Sequence, residues 1–165
     1  MTDTVVGRRI EQRGLWFEEF EPGSTYLHAP GRTISEADNV LFTTLTMNTQ
    51  PLHLDEHWSA RQEFGGRLVN SLLTLSTVVG LSVSQLTLNT IVANLGFGDV
   101  RFPRPVRAGD TLYAETLVVD KRLAASRPGQ GVVSLRHVGR NQEGETVAVV
   151  DRSTLVLCAP REDAA

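Results

Sequence analysis

Cysteine is nearly absent: Cys158 is the only one in 165 residues. That excludes an internal disulfide and a multi-cysteine metal site, and it makes a reducing compartment the expected setting. No run approaches the roughly 20 apolar residues that a membrane-crossing helix needs. Residues 1–14 lack the apolar core of a signal peptide. The expectation is a cytoplasmic domain with no membrane segment. Excess positive charge is missing as well. Sixteen Lys and Arg face 19 Asp and Glu, a net charge of −3, which argues against a general nucleic-acid binder. Hydrophobic residues at 41% and charged residues at 21% are ordinary globular proportions and exclude a disordered chain. The length suits one domain, large enough to bury roughly two-thirds of its unfolded surface. Its expected body runs over residues 15–158, with a flexible segment at 1–14 and a flexible tail at 159–165.

What is present divides at about residue 90. The first half is helical in character. Ser35 before Glu36 and Asp38 makes an N-cap with acids in the first turn, and Val40, Leu41 and Leu45 give that helix an apolar stripe. Pro51 is expected to close it and leave residues 48–53 as a loop. Asp55 is expected to cap a short helix through Trp58 and Ala60. Residues 70–83 are apolar on nearly all sides, which suits a helix and rules out a surface one. Their Ser and Thr are small enough for a buried helix to satisfy internally. The second half alternates with period two over 90–102, 111–121, 131–140 and 145–157, with turn sequences at 127–131 and 141–145. His28 and His137 fall on strands, as surface or packing residues. A fully apolar helix and several antiparallel strands satisfy each other if the sheet wraps the helix, an α+β fold.

The chemistry-bearing residues concentrate in N48-T-Q-P-L-H-L-D-E-H-W-S-A60. A metal site of His53, Asp55 and His57 would lack a further ligand, and no metal is expected. The segment M47-N-T-Q-P-L-H-L-D55 resembles the MaoC-like dehydratases, the hot-dog-fold family that includes the (R)-specific enoyl-CoA hydratases. Pro51, Leu52, His53 and Asp55 match its motif in register. F102-P-R-P-V-R-A-G-D110 resembles a second family junction, and L68-V-N-S-L-L73 falls at its entry to the central helix. The resemblance covers about residues 15–158 and implies an antiparallel sheet wrapped around a long central helix.

It also implies a hydro-lyase acting on a CoA thioester. Such an enzyme hydrates an enoyl-CoA or dehydrates a 3-hydroxyacyl-CoA, here with a branched or dicarboxylic acyl group as in mesaconyl-CoA hydratase. Two segments depart from the family. Its acid–base Asp falls on Asn48 and its following Asn on Gln50, while its His-Gly falls on Asn70-Ser71. An amide does not titrate near neutral pH, so Asn48 can orient water or a substrate hydroxyl but cannot act as a base. His53 is the expected acid–base group, because an imidazole changes charge near neutrality. Backbone N–H groups at Ser71 and Leu72, at a helix start, are expected to hold the thioester oxygen. Gln50, Asp55, Asn70, Asn94, Arg101 and Arg104 are the expected substrate contacts, the arginines suiting the phosphates of coenzyme A. No cofactor beyond the coenzyme A of the substrate is implied. A homodimer or higher homo-oligomer is expected, since a curled sheet leaves open edges. Two other readings stay open: an acyl-CoA thioesterase, and a non-catalytic acyl-CoA-binding subunit marked by the change of Asp to Asn48.

Overall fold

The structure is a computed structural model that describes Gly7, Arg8 and residues 10–160. The flexible ends expected at residues 1–6, 9 and 161–165 lie outside the described residues. Within the expected N-terminal segment, Gly14 is already bound to the body: its N–H donates to the Leu88 carbonyl at 2.7 Å.

The chain order is β1 (Thr25–Thr33), α1 (Glu36–Leu45), α2 (Pro51–Leu54), α3 (Glu56–Ser59), α4 (Ser71–Leu81), α5 (Val83–Leu86), β2 (Ile91–Arg101), β3 (Thr111–Leu123), β4 (Gln130–Arg140) and β5 (Thr146–Leu157). The strands form one antiparallel sheet in the order β1-β3-β4-β5-β2. The four strands read from period two are all present, and the turns at 127–131 and 141–145 join β3 to β4 and β4 to β5.

The α4 helix packs against β1, β3, β4 and β5, so the sheet wraps it as expected. Gly139 on β4 makes this close approach feasible. A Cβ there would meet Cγ2 of Val78 at 2.4 Å, nearer than real side chains come. Val78 packs there with Ala114 and Ala148, while Phe20, Leu86, Val118, Val133, Leu135 and Val156 build a second buried cluster and Leu112 with Val147 a third.

A polar belt crosses the sheet with one residue from each strand in spatial order, buried at His28, Thr116, His137 and Arg152 and exposed at Asn94 on the edge. His28 on β1 bonds through Nε2 to the Thr116 hydroxyl on β3, and that hydroxyl accepts from Nδ1 of His137 on β4, both at 2.7 Å. Arg152 on β5 donates from Nε to Oδ1 of Asn94 on β2 at 3.0 Å. At the other end Gln85 of α5 accepts from Nδ1 of His28 at 2.8 Å. These partners fix the protons: Gln85 Oε1 can only accept, so His28 carries its proton on Nδ1 and the Thr116 hydroxyl donates to Nε2. His28 and His137 are therefore neutral packing residues deep in the fold.

Four local expectations are corrected. The helical character of the first half is interrupted by β1, which includes the strand position expected for His28 but runs over all of Thr25–Thr33. Most of its residues are exposed and its pairing breaks between His28 and Arg32, so it shows no alternation to read. Ser35 does cap α1, with Asp38 N–H donating to its hydroxyl at 3.1 Å, but the apolar stripe of α1 faces outward. Leu41 is 61% exposed and Leu45 73%, while Asn39 and Thr43 are buried. Pro51 does not close α1; it opens α2 at the first helical position, where its missing N–H costs nothing. Finally, α4 is not covered on all sides, since Ser71, Leu72, Ser76 and Gly80 are exposed.

Candidate active site

His53 stands on α2, a single turn set by Pro51, rather than on a loop. Two hydrogen bonds tie this turn to the segment that leads into α4. Leu68 N–H donates to the Leu52 carbonyl at 3.0 Å, and His53 Nδ1 lies 2.9 Å from the Leu68 carbonyl. A carbonyl oxygen only accepts, so the neutral ring carries its proton on Nδ1 and keeps its lone pair on Nε2. That is the form a general base needs.

His53 lines a cavity of about 420 Å³. Phe64, Leu68, Phe102 and Val147 give it apolar walls. Ser71, the first residue of α4, and Thr74, one turn further on, lie on the same wall. The cavity thus joins an imidazole to the amino end of an 11-residue helix, where backbone N–H groups favour negative charge. Arg104 is the one Arg, Lys, Asp or Glu among the lining residues; its Nε is 3.4 Å from Glu145.

The remaining expected site residues are held by partners of their own. Asn70 is buried at the N-cap of α4 and accepts the Leu72 N–H on Oδ1 at 3.0 Å. Of the two expected oxyanion donors, Leu72 therefore gives its N–H to the cap, and only Ser71 stands on the cavity wall. Asp55 caps α3, accepting Trp58 N–H at 2.9 Å. Asn48 is not among the lining residues. Its Oδ1 accepts Gln50 N–H at 3.0 Å, so both residues serve the turn before α2. Arg101 pairs with Asp99 at 2.7 Å, and Asn94 holds Arg152 on the β2 edge; neither lines the cavity. His57 accepts from Arg61 at 2.9 Å on the exposed face of α3.

Sequence reading missed Asn39. This buried side chain on α1 donates from Nδ2 to the His53 carbonyl at 3.2 Å and to the Leu68 carbonyl at 3.3 Å. Its Oδ1 accepts Asn70 N–H at 2.9 Å. The available signal was its spacing: Asn39 and Thr43 are four apart and lie on the face opposite Leu41 and Leu45.

A sheet folded around one helix, with its cavity at the helix start, is the hot-dog arrangement. A solved Mycobacterium tuberculosis protein described as having a double hot-dog fold superposes with a TM-score of 0.82 at 27% identity, covering 94% of this chain and 48% of its own. The chain belongs to the MaoC-like domain family, whose profile, described as MaoC like domain, matches residues 18–141. Mesaconyl-CoA hydratase of Cereibacter sphaeroides is 34% identical over 143 residues, 87% of this chain and 41% of the relative. A 3-hydroxybutyryl-CoA dehydratase of Methylorubrum extorquens is 34% identical over 113 residues, 67% of this chain and 68% of the relative. The chain spans less than half the length of the mesaconyl-CoA hydratase it matches.

Proposed function

We propose that this chain is a hydro-lyase for CoA thioesters, adding water to an enoyl-CoA or removing it from a 3-hydroxyacyl-CoA. The observation that carries this reading is His53, locked with its free lone pair on Nε2, in the same cavity wall as the first residue of α4. In the hydration direction, Nε2 takes a proton from water as the water oxygen bonds to the β-carbon. The double-bond electrons move toward the thioester oxygen, which the Ser71 N–H stabilises. The imidazolium then returns a proton to the α-carbon, restoring the thioester carbonyl. One ring serves both steps when the water and the α-carbon share a face. This removes the need for a second titrating group, which Asn48 could not supply.

Arg104 is the wall cation that suits a phosphate of coenzyme A or a carboxylate on the acyl group. The name mesaconyl-CoA hydratase favours a branched or dicarboxylic acyl group; the reading places the reaction in the cytoplasm, with coenzyme A entering only as part of the substrate. A second copy of the chain is the expected partner. The β2 edge is open, and Leu95, Phe97 and Leu72 are each about half exposed on β2 and α4. Light scattering should report at least a dimer, and a stable monomer would overturn that part.

The activity is tested with crotonyl-, mesaconyl- and 3-hydroxyacyl-CoA thioesters. The conjugated thioester absorbance should fall with the enoyl substrates and rise with the hydroxyacyl ones, with no release of thiol. Free thiol with an unchanged double bond would instead establish a thioesterase. Binding without turnover would establish an acyl-CoA-binding subunit.

A further inference from the structure

We propose that Asn39 is the positioning residue of this site: one side-chain amide sets both the His53 ring and the start of α4. The inference rests on the hydro-lyase reading for its kinetic consequence, but not for its structural one. Three elements converge on this side chain from different parts of the sequence. Its amide nitrogen has two hydrogens, and both are used, on the carbonyls of His53 and Leu68. Its oxygen accepts the N–H of Asn70, the residue that caps α4. The amide orientation follows from these partners, since only an NH2 group can face two carbonyl oxygens and only an oxygen can face an N–H.

The Leu68 carbonyl is the pivot. It accepts from His53 Nδ1 and from Asn39 Nδ2, so both of its lone pairs are engaged. Asn39 therefore fixes the direction of the group that fixes the ring, and through Asn70 it fixes the helix end that faces the same cavity. The residue is 2% exposed and does not line that cavity. It acts through other groups and touches no substrate.

Asn39→Asp changes only the donor end. The carboxylate keeps an oxygen for Asn70 N–H but sets its second oxygen against two carbonyls. The Leu68 carbonyl then loses its second anchor and turns. Two readouts follow. Nitrogen-15 NMR of His53 should show the Nδ1–H tautomer in the wild-type protein and a mixture of tautomers in the variant. With crotonyl-CoA, kcat should fall about 10²-fold while KM stays within about threefold, the signature of misplaced chemistry rather than lost binding.

Asn39→Ser, smaller and uncharged, provides the same two readouts if the Asp variant does not fold. The proposal is overturned if wild-type His53 carries its proton on Nε2. It is also overturned if the variants keep the wild-type ring signal or the wild-type kcat while losing only thermal stability. If the wild-type protein shows no hydratase activity, the ring signal alone decides. A shifted tautomer then upholds the positioning role and the failure belongs to the assigned reaction.

Discussion

His53→Ala should lower kcat by about 10²–10⁴-fold, the range spanned by a lost general acid–base group, and toward its upper end if one ring handles both proton steps. The same change should cost little stability. Among the described residues the ring makes one hydrogen bond, to the Leu68 carbonyl. That carbonyl retains the Asn39 amide at 3.3 Å, so the loss is about 1 kcal/mol. Steady-state rates together with thermal unfolding separate the two effects. Asn48→Ala is the control that gives the result its meaning. Asn48 stands off the cavity wall with its oxygen spent on Gln50, and its removal should cost less than about tenfold. If His53→Ala keeps turnover within a few-fold of the wild type, the proton carrier lies elsewhere and the proposed reaction course fails.

The second large effect is on stability in mild acid. Burial, helped by the nearby Arg152 and His28, pushes the His137 imidazole down to about 3. Burial also lowers His28, partly offset by its bond to Gln85. Both rings take up a proton near their ordinary value once unfolded, but resist it while folded. Below pH 6.5 the unfolded chain therefore binds more protons than the native one, and stability falls as pH falls. His137 adds a slope approaching about 1.4 kcal/mol per pH unit in this window, and His28 adds to it in the same direction. Carboxylates held low by partners, such as Asp38 and Asp151, extend the loss below about pH 4. Thermal unfolding at pH 7.5, 6, 5 and 4 should show a melting temperature already dropping between 6 and 5. The His137 ring proton resonance should not titrate above pH 4. A melting temperature flat from 7.5 to 5 would contradict the burial of both rings.

Much of the architecture was written in local patterns. Strands β2 to β5 announce themselves by alternation, and Ser35 and Asp55 cap the helices they were expected to cap. The motif around His53 and the entry at Ser71 lie far apart in sequence, yet they share one cavity with Arg104. What stayed hidden has a common cause. The apolar stripe of α1 suggests a buried Leu41 and Leu45, but the buried face belongs to Asn39 and Thr43. An orphaned buried N–H or carbonyl costs about 1–3 kcal/mol. Asn39 relieves one N–H and two carbonyls that backbone ladders do not reach. Exposed leucines on the opposite face are tolerated by comparison. Hydrophobic periodicity registers the leucines and is blind to the orphaned backbone. The local role of Asn48 stayed hidden for a related reason: a turn oxygen claimed by Gln50 is a detail that the motif does not encode.

The belt through the sheet also constrains how the strands can align. Side chains alternate between faces, so sliding any of β1, β3, β4 or β5 by a single position would throw His28, Thr116, His137 or Arg152 to the outside. It would also leave that residue's neighbour without its bond. A slipped alignment of valines against valines would cost little, because one aliphatic pair resembles the next. The mixed donors and acceptors of the belt permit one frame only, and so a uniformly greasy sheet gains a unique way to zip together.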